Sequence, residues 1–354
     1  MRRIKMQQMI NLQQAEDLIA TIGKEVTVHL KGQPGIGKSS ILKTLSKRFP
    51  DHTPVYIDCA DLDLGDLAMP AINHTNQTTA FYPNERFKLQ HGKPVIIMLD
   101  EITKASEPVK NMLLPVMLER RLGSVEFHPD SIVYSTGNLT TDGVGDNMKA
   151  HAKNRLTSVT IRNPDADEWI NWGVENDIAP EILAWVKQFP HAMAMYNDES
   201  QKENMYIYNP RLQQEAFASP RSFAKASPIV KARQTLGEDT TLAALIGTIG
   251  EATARDLSAF FTLTDGLPTR ESILKTPNEA NIPNDPSARV ILIMREIVSA
   301  TEKSMDAWLT YLQRLPMELQ ALFAVNIMAS PSKKPIAAQN KSFVDWAVKN
   351  NQYF

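Results

Sequence analysis

The sequence predicts an α/β fold with a parallel sheet in its first half and an all-helical second half. Up to about residue 162, short β-rich runs alternate with helical patterns; from Asn163 onward the β-rich runs stop and helical patterns take over. The chain has 354 residues, of which 43% are hydrophobic and 22% charged. This composition is typical of a globular protein with two or three domains, each able to bury a core.

The first half begins with a helical pattern at residues 10–22, and Gly23 is expected to end that helix. Strand patterns follow at residues 26–30, 55–57, 95–99, 132–136 and 158–161. Helices are predicted from about 38 to 49 and over 108–121. Strands separated by helices favour parallel pairing, so we expect these five strands to form one parallel sheet.

The second half has helical patterns at residues 165–175, 180–188, 242–261, 287–300, 306–314 and 318–328. Residues 196–220 are polar and predict a long loop, and residues 266–286 contain four prolines and predict a linker. We therefore divide the chain into four predicted parts: an N-terminal helix (1–23), an α/β domain (24–162), a helical domain (163–265), and a linker with C-terminal helices (266–354).

Charge and cysteine content restrict the function classes only in part. The formal net charge is −2, which gives no global positive field for nucleic acid but leaves a local basic surface open. Cys59 is the one cysteine, so no internal disulfide is expected and a reducing compartment is favoured. We expect no secretory signal and no membrane insertion, because no apolar run approaches the roughly 18 residues of a membrane span.

A glycine-rich segment between the first predicted strand and the next helix matches the phosphate-binding pattern G-x-x-x-x-G-K-[ST]. Its glycines would let backbone N–H groups surround phosphates, Lys38 would contact the β and γ phosphates, and Ser39 would hold Mg²⁺. The residues expected to bind ATP are Gly32, Gln33, Pro34, Gly35, Ile36, Gly37, Lys38, Ser39 and Ser40.

Two carboxylates end the apolar run at residues 95–99, which is typical of a buried central strand. Asp100 would complete the Mg²⁺ shell with Ser39, and Glu101 would orient and polarise the attacking water. The second carboxylate favours ATP hydrolysis over binding alone.

A polar residue, Asn138, follows the strand predicted at residues 132–136. Its amide could hydrogen-bond the γ phosphate or the attacking water. By itself, an asparagine after a strand more often begins a turn.

Together these segments resemble the MoxR branch of the AAA+ ATPases over about residues 24–262. Residues 99–105, followed by 111–114 and 119–123, are similar to the Walker B strand and next helix of that branch. Asn138 stands at the position of the family's sensor 1 residue. The resemblance implies a P-loop AAA+ sheet core with an all-helical lid domain and a small C-terminal helical region.

The resemblance also implies two functional arginines. Asn154, Arg155 and Leu156 resemble the family's Asp-Arg-Phe element, with Asn and Leu replacing Asp and Phe; its arginine reaches the nucleotide of the neighbouring subunit. Arg221, in the run 218–222, resembles the sensor 2 arginine, which reaches the γ phosphate from the lid. The implied catalytic residues are Glu101, Lys38, Asn138, Arg155 and Arg221.

The function implied by the resemblance is that of a cytoplasmic ATPase, bacterial or phage-encoded, with ATP and Mg²⁺ as cofactors. It would assemble with itself as a hexameric ring or open spiral and remodel a protein or nucleoprotein partner. Relatives often act with a partner that carries a von Willebrand factor A domain. Residues 61–67 and 81–83 resemble a segment that often faces the ring pore in phage-type relatives, although exposed aromatics such as Phe81 and Tyr82 more often pack on their own domain.

Two other function classes stay open. A DNA translocase or replication loader would use lysines beyond residue 266, but acidic residues are interspersed there. A scaffold would use bound ATP only to lock an assembly, and Glu101 argues against it. DNA-stimulated turnover and the effect of Glu101→Gln discriminate these classes.

Overall fold

The computed structural model describes residues 8–139, 154–209, 211–212 and 214–353. The chain divides into two compact units, residues 1–163 and 164–354. The first unit contains the sheet, and the second consists of helices and connecting loops in the part that is described.

The described strands, in chain order, are β1 (Met9–Ile10), β2 (Val28–Lys31), β3 (Thr53–Asp58), β4 (Ala68–Asn73), β5 (Thr78–Pro83), β6 (Val95–Asp100), β7 (Arg121–Leu122), β8 (Val125–Glu126), β9 (Ile132–Gly137) and β10 (Thr157–Ile161). Six of them form one parallel sheet in the order β1, β10, β2, β9, β6, β3. The five predicted strands and their parallel pairing are confirmed. The sixth strand, β1, has two residues, which is too short for a periodic pattern.

Helices cover both faces of this sheet. The first unit contains α1 (Leu12–Ile22), α2 (Ser40–Arg48) and α3 (Glu107–Leu118). Side chains of β6 alternate between two cores: Ile96 and Met98 belong to a cluster with buried residues of α1 and α2, whereas Ile97 and Leu99 belong to a cluster with α3. Burial on both faces is the reason β6 appears as an unbroken apolar run in the sequence.

The predicted N-terminal helix begins at Leu12 because Asn11 caps it. The Asn11 side chain accepts a hydrogen bond from the Gln14 backbone N–H at 2.8 Å, and the Gln14 side chain accepts one from the Asn11 N–H at 3.0 Å. Gly23 ends the helix as expected. A Cβ at Gly23 would lie 2.4 Å from the Ile19 carbonyl oxygen, so close packing requires glycine there.

Two antiparallel hairpins lie outside the main sheet. Strands β4 and β5 form one, which we call the β4–β5 hairpin, and β7 and β8 form the other. The Phe81 N–H donates to Ser124 Oγ at 3.0 Å, and the Ser124 N–H donates to the Phe81 carbonyl at 2.8 Å, so the two hairpins are joined. Neither was predicted, because residues 68–83 lack a clear alternation of apolar and polar side chains.

The second unit contains α4 (Ala166–Glu175), α5 (Pro180–Gln188), α6 (Pro220–Lys231), α7 (Arg233–Leu236), α8 (Glu238–Ile249), α9 (Glu251–Asp265), α10 (Arg270–Lys275), α11 (Pro286–Ser299), α12 (Glu302–Leu312), α13 (Met317–Ala329), α14 (Lys334–Gln339) and α15 (Lys341–Lys349). Their buried side chains form one hydrophobic core. Among the described residues, no helix is both long and apolar enough to cross a membrane.

The structure differs from the predicted helices in three places. The helix expected over 242–261 is two helices that meet at Gly250, whose φ is 83° and whose Cβ would lie 2.8 Å from the Ala216 carbonyl oxygen. The predicted linker contains α10, and helices α14 and α15 follow the last predicted helix. The predicted boundary between residues 265 and 266 stays a prediction.

Candidate nucleotide-binding site

Three adjacent strands bring the predicted site residues to one edge of the sheet. Strands β2, β9 and β6 are neighbours and run parallel, so their carboxyl ends lie side by side. The segment 32–39 follows β2, Asp100 ends β6, and Asn138 directly follows β9. This edge is where open α/β sheets bind ligands.

The glycine-rich loop adopts a conformation that its glycines make accessible. Gly35 has a φ of 82° and Gly37 a φ of 104°, values that side chains other than glycine rarely adopt. Ile36 between them is buried in the core, which anchors the loop, while Pro34 is exposed. Ser39 precedes α2 and makes no side-chain cap, so no side chain at this position competes for the helix N-terminus.

Lys38 lies inside the loop that it belongs to. Its Nζ donates to the carbonyl of Gly32 at 2.6 Å and to that of Gln33 at 2.8 Å, and the side chain is buried. The exposed Ser40 hydroxyl donates to the Gly37 carbonyl at 2.7 Å and stabilises the end of the loop. Lys38 is thereby held where a phosphate cradled by the loop would meet its charge.

Asp100 and Ser39 provide adjacent oxygen atoms. Ser39 Oγ donates to Asp100 Oδ2 at 3.4 Å, and Tyr56 OH donates to the same oxygen at 2.9 Å. A hydroxyl and a carboxylate fit the ligands that Mg²⁺ takes beside phosphate and water oxygens. Among the described residues, no cluster of three or more His, Cys, Asp or Glu side chains offers an alternative metal site.

A buried threonine connects the two carboxylates. Thr136 on β9 donates its hydroxyl hydrogen in a short bond to Asp100 Oδ1 and accepts a hydrogen bond from the Glu101 N–H at 3.1 Å. Glu101 has a φ of 51°, in the left-handed region that non-glycine residues seldom occupy. The Thr136 hydroxyl stabilises this conformation, in which the chain turns sharply after Asp100.

The Glu101 side chain contacts two polar neighbours. Its Oε2 forms an ion pair with Lys104, and its Oε1 lies 3.5 Å from Asn138 Nδ2, which donates to it. The structure therefore brings Glu101 and Asn138 together, at the ends of adjacent strands. An amide and a carboxylate in this position can each contact a water molecule beside a bound phosphate.

Arg155 lies near the amino ends of the sheet strands, whereas the glycine-rich loop lies at their carboxyl ends. It is exposed and stands two residues before β10, which pairs in parallel with β2 in the register Thr157 to Val28. Arg155 and the loop therefore lie at opposite ends of two neighbouring strands.

Arg221 is the second residue of α6, in the second unit, and is exposed. Ser219 caps this helix in a capping box with Ser222, and the Ser222 N–H donates to Ser219 Oγ at 3.1 Å. The cap fixes where Arg221 leaves the helix within its own unit. Its role at the nucleotide stays a prediction.

Arg120 and Arg121, in the segment 119–123, contact residues of their own unit. Arg120 donates through NH2 to the Gly23 carbonyl at 3.0 Å and through NH1 to Thr27 Oγ1 at 2.7 Å and to the Met117 carbonyl at 2.5 Å. Burial lowers the pKa of Arg120 to about 10, so the group stays charged at neutral pH. Arg121 pairs with Glu119 at 2.6 Å. These contacts join the end of α3 to the segment before β2 and suit a structural role.

Sequence reasoning missed three residues of this site: Tyr56, Thr136 and Lys104. Each belongs to an identified strand or motif, but the pattern does not show where its polar atom points. For Thr136 a signal was present, because a hydroxyl at the end of a central strand adjoins the strand that ends in Asp100. For Tyr56 there was no such signal, because the sequence pattern does not indicate that the Tyr56 hydroxyl lies close to Asp100.

Part of the first unit matches a known family of domains. Residues 27–131 match the family model of the AAA domain, dynein-related subfamily. This stretch contains the glycine-rich loop, Asp100 and Glu101. The first unit therefore has an AAA fold. No curated protein was found to match the sequence.

Two solved structures are similar at low identity. One is a proposed ATPase from Cytophaga hutchinsonii, with 15% identity, coverage of 77% of this chain and 90% of that chain, and a TM-score of 0.33. The other is a lysine-to-arginine mutant of RuvB from Thermotoga maritima, with 13% identity, coverage of 76% and 74%, and a TM-score of 0.36. Both TM-scores are low, so neither similarity carries an argument about function.

Proposed function

We propose that this chain is an ATP hydrolase that works as an oligomeric, MoxR-like AAA+ motor and remodels a protein or nucleoprotein partner. The observation that carries the proposal is the meeting of three groups at one sheet edge: the loop with Lys38, the Ser39–Asp100 oxygen pair, and Glu101 directly after Asp100. A binding module needs the first two groups, whereas Glu101 adds a carboxylate suited to activating water.

In this proposal, the chain's own residues position ATP and water. Backbone N–H groups of the loop and the N-terminus of α2 bind the phosphates, and Lys38 exchanges its carbonyl contacts for phosphate oxygens. Ser39 and Asp100 would hold Mg²⁺, and the ion would supply positive charge next to the transferred phosphate. Glu101 orients and polarises the attacking water, and Asn138 donates to the water or to the γ phosphate.

Assembly completes the site in the same proposal. Arg155 precedes β10 at the amino ends of the strands, whereas its own loop follows the carboxyl end of β2. It is proposed to reach the nucleotide of a neighbouring subunit, where its guanidinium stabilises charge on the transferring phosphate. Arg221 is proposed to contact the γ phosphate from the helical lid. A hexameric ring or open spiral provides the required neighbours.

The β4–β5 hairpin supports a protein as the partner. Its side chains Met69, Ile72 and Tyr82 are 59%, 69% and 55% exposed, and Phe81 is exposed as well. About half of the surface of each aromatic side chain is therefore open to a partner. Residues 67–84 contain no Asp, Glu, Lys or Arg, so this surface offers apolar and uncharged polar groups but no Lys or Arg cation for phosphate. A partner with a von Willebrand factor A domain is proposed from family analogy alone.

Glu101→Gln tests the hydrolase against the ATP-locked scaffold. We expect the variant to bind ATP with nearly wild-type affinity and to lose at least about 100-fold in turnover, because the amide cannot act as a base toward water. A scaffold would assemble and function unchanged in this variant. Unaltered turnover in Glu101→Gln would remove Glu101 from the mechanism.

The nature of the partner is tested separately. Turnover of the wild type is measured with an unfolded polypeptide, with single-stranded DNA and with double-stranded DNA. Stimulation by polypeptide, lost in the double variant Phe81→Ser with Tyr82→Ser, is expected for the remodeller. Stimulation by DNA with a steep salt dependence would favour the translocase or loader instead.

A further inference from the structure

Lys104 is a polar group next to the proposed catalytic centre that the proposed mechanism does not use. Its Nζ forms an ion pair with Glu101 Oε2, while Asn138 Nδ2 donates a hydrogen bond to the other carboxylate oxygen, Oε1, at 3.5 Å. Both oxygens of the water-activating carboxylate are therefore engaged by neighbours in this structure. Both Lys104 and Glu101 side chains are partly exposed.

The backbone holds Lys104 in this position. Residues Ile102–Lys104 form one 3₁₀ turn, closed by a hydrogen bond from the Lys104 N–H to the Glu101 carbonyl at 2.8 Å. Ile102 and Thr103 within the turn are buried, which anchors it to the core. The Glu101 N–H is fixed by Thr136, so only the side chain of Glu101 is left to change direction.

We propose that Lys104 is a positioning residue that restrains Glu101 and thereby slows ATP hydrolysis by the isolated protein. When Asn138 turns to a bound γ phosphate, the Lys104 ion pair is the remaining restraint on the carboxylate. Glu101 orients water fully only when that pair opens. The inference rests on the proposed hydrolysis and adds a residue that sets its rate.

The sign of the effect separates this proposal from a merely structural role. If Lys104 only stabilised the turn, removing it would lower both stability and turnover. If its ammonium helped to stabilise developing negative charge, removing it would also lower turnover. Of these three roles of Lys104, only a restraint on Glu101 predicts that removing the lysine charge raises ATP turnover.

The test compares Lys104→Met, which keeps the length of the side chain and removes its charge, with the wild type and with Lys93→Met. Lys93 is an exposed lysine before β6, at the sheet edge away from the site, and serves as the matched control. Single-turnover ATP hydrolysis is measured with protein in excess over ATP, at one protein concentration that is high enough to bind all of the ATP.

We expect Lys104→Met to turn over about two to five times faster than the wild type, which corresponds to the small free energy of an exposed ion pair. The ATP turnover of Lys104→Arg should rise less, because this variant keeps a cation near Glu101. The gain should shrink in about 1 M salt, since salt screens exposed pairs. Combined with Glu101→Gln, the gain should disappear.

Equal or slower turnover by Lys104→Met, with unfolding unchanged, would overturn the restraint. Absence of turnover in every Glu101-containing variant would instead contradict the proposed hydrolysis, and the inference would fall with it. Turnover by Lys104→Met but not by the wild type would support a restraint stronger than expected.

Discussion

At the scale of single residues, Thr136 holds the two acidic residues of the site in their relative positions. One buried hydroxyl donates to Asp100 and accepts from the Glu101 N–H. Both groups are at the point where the chain enters a left-handed conformation. The same oxygen atom therefore contacts both the carboxylate that we propose holds Mg²⁺ and the residue that we propose activates water.

Thr136→Val is expected to lower ATP turnover by about tenfold or more while nucleotide binding persists. Valine has nearly the same shape but leaves the Glu101 N–H and one Asp100 oxygen without this partner, a loss of about 1 to 3 kcal/mol in groups that must stay aligned. Thr136→Ser keeps the hydroxyl and serves as the control. Equal turnover in Val and Ser variants would show that the bridge has no role.

At the scale of elements, the second unit contains a buried ion pair that joins α10 to α11. Glu296 is 3% exposed and accepts from Arg270 at 2.7 and 2.9 Å, and Ser304 Oγ donates to it at 3.1 Å. Arg270 belongs to the segment predicted as a linker. The pair fixes that segment against the helical core.

Glu296→Gln is expected to lower the free energy of unfolding by about 2 to 4 kcal/mol. The Arg270 guanidinium would keep its charge without a carboxylate partner, and the loss is below the full figure for a buried ion because Arg270 is 32% exposed. The control is Glu251→Gln, in the exposed pair with Arg255 on α9, where we expect less than about 0.5 kcal/mol. Denaturant unfolding measures both. Similar losses would contradict the account.

The end of α4 provides a pH-dependent contact with the segment after α13. Glu175 accepts hydrogen bonds from Ser330 Oγ, from the Ser332 N–H at 3.1 Å and from Ser332 Oγ at 3.0 Å. Burial acts to raise the pKa of Glu175, but these bonds outweigh it and hold the pKa below its ordinary value of 4.5.

Because the folded carboxyl binds protons less readily than the unfolded one, its stabilisation is complete above pH 4.5 and is lost as pH falls through the lower folded pKa. The difference in unfolding free energy between wild type and Glu175→Gln should therefore shrink below pH 4.5 and stay constant from there to neutral pH. Denaturant titrations at several pH values measure it. A difference that grows in acid would contradict the assignment.

The elements that could be predicted from sequence are those with a repeating apolar pattern or a glycine signature. Strand β6 and the glycine-rich loop are examples, because burial on two faces and positive φ each leave a trace in residue type. The β4–β5 hairpin left no such trace, since its stabilising contact runs through the backbone of Phe81 to Ser124. Tyr56 and Lys104 could not be assigned either, because their roles depend on distances between side chains.

At the scale of the whole molecule, the proposed role of Arg155 predicts that activity depends on assembly. Arg155 precedes β10 at the amino ends of the strands, whereas its own loop follows the carboxyl end of the neighbouring strand β2. Each subunit would then bind nucleotide with its own Lys38 and obtain its arginine from a neighbour.

Mixing two inactive variants is expected to restore turnover. Lys38→Ala subunits would not bind phosphate but would supply Arg155, whereas Arg155→Ala subunits would bind ATP but lack the arginine. The mixture should exceed the sum of the separate activities, by an amount that varies with the mixing ratio. If Arg155 acts within its own subunit or has no catalytic role, the mixture will show only that sum.

The most direct test of the central claim is ATP turnover per subunit as a function of protein concentration, for the wild type and Arg155→Ala, with and without DNA. The account predicts a rate per subunit that rises with concentration, is lost in Arg155→Ala and does not respond to DNA. Turnover that is independent of concentration and unaffected by Arg155→Ala would contradict a site completed by assembly. Strong stimulation by DNA would contradict the choice of a protein partner.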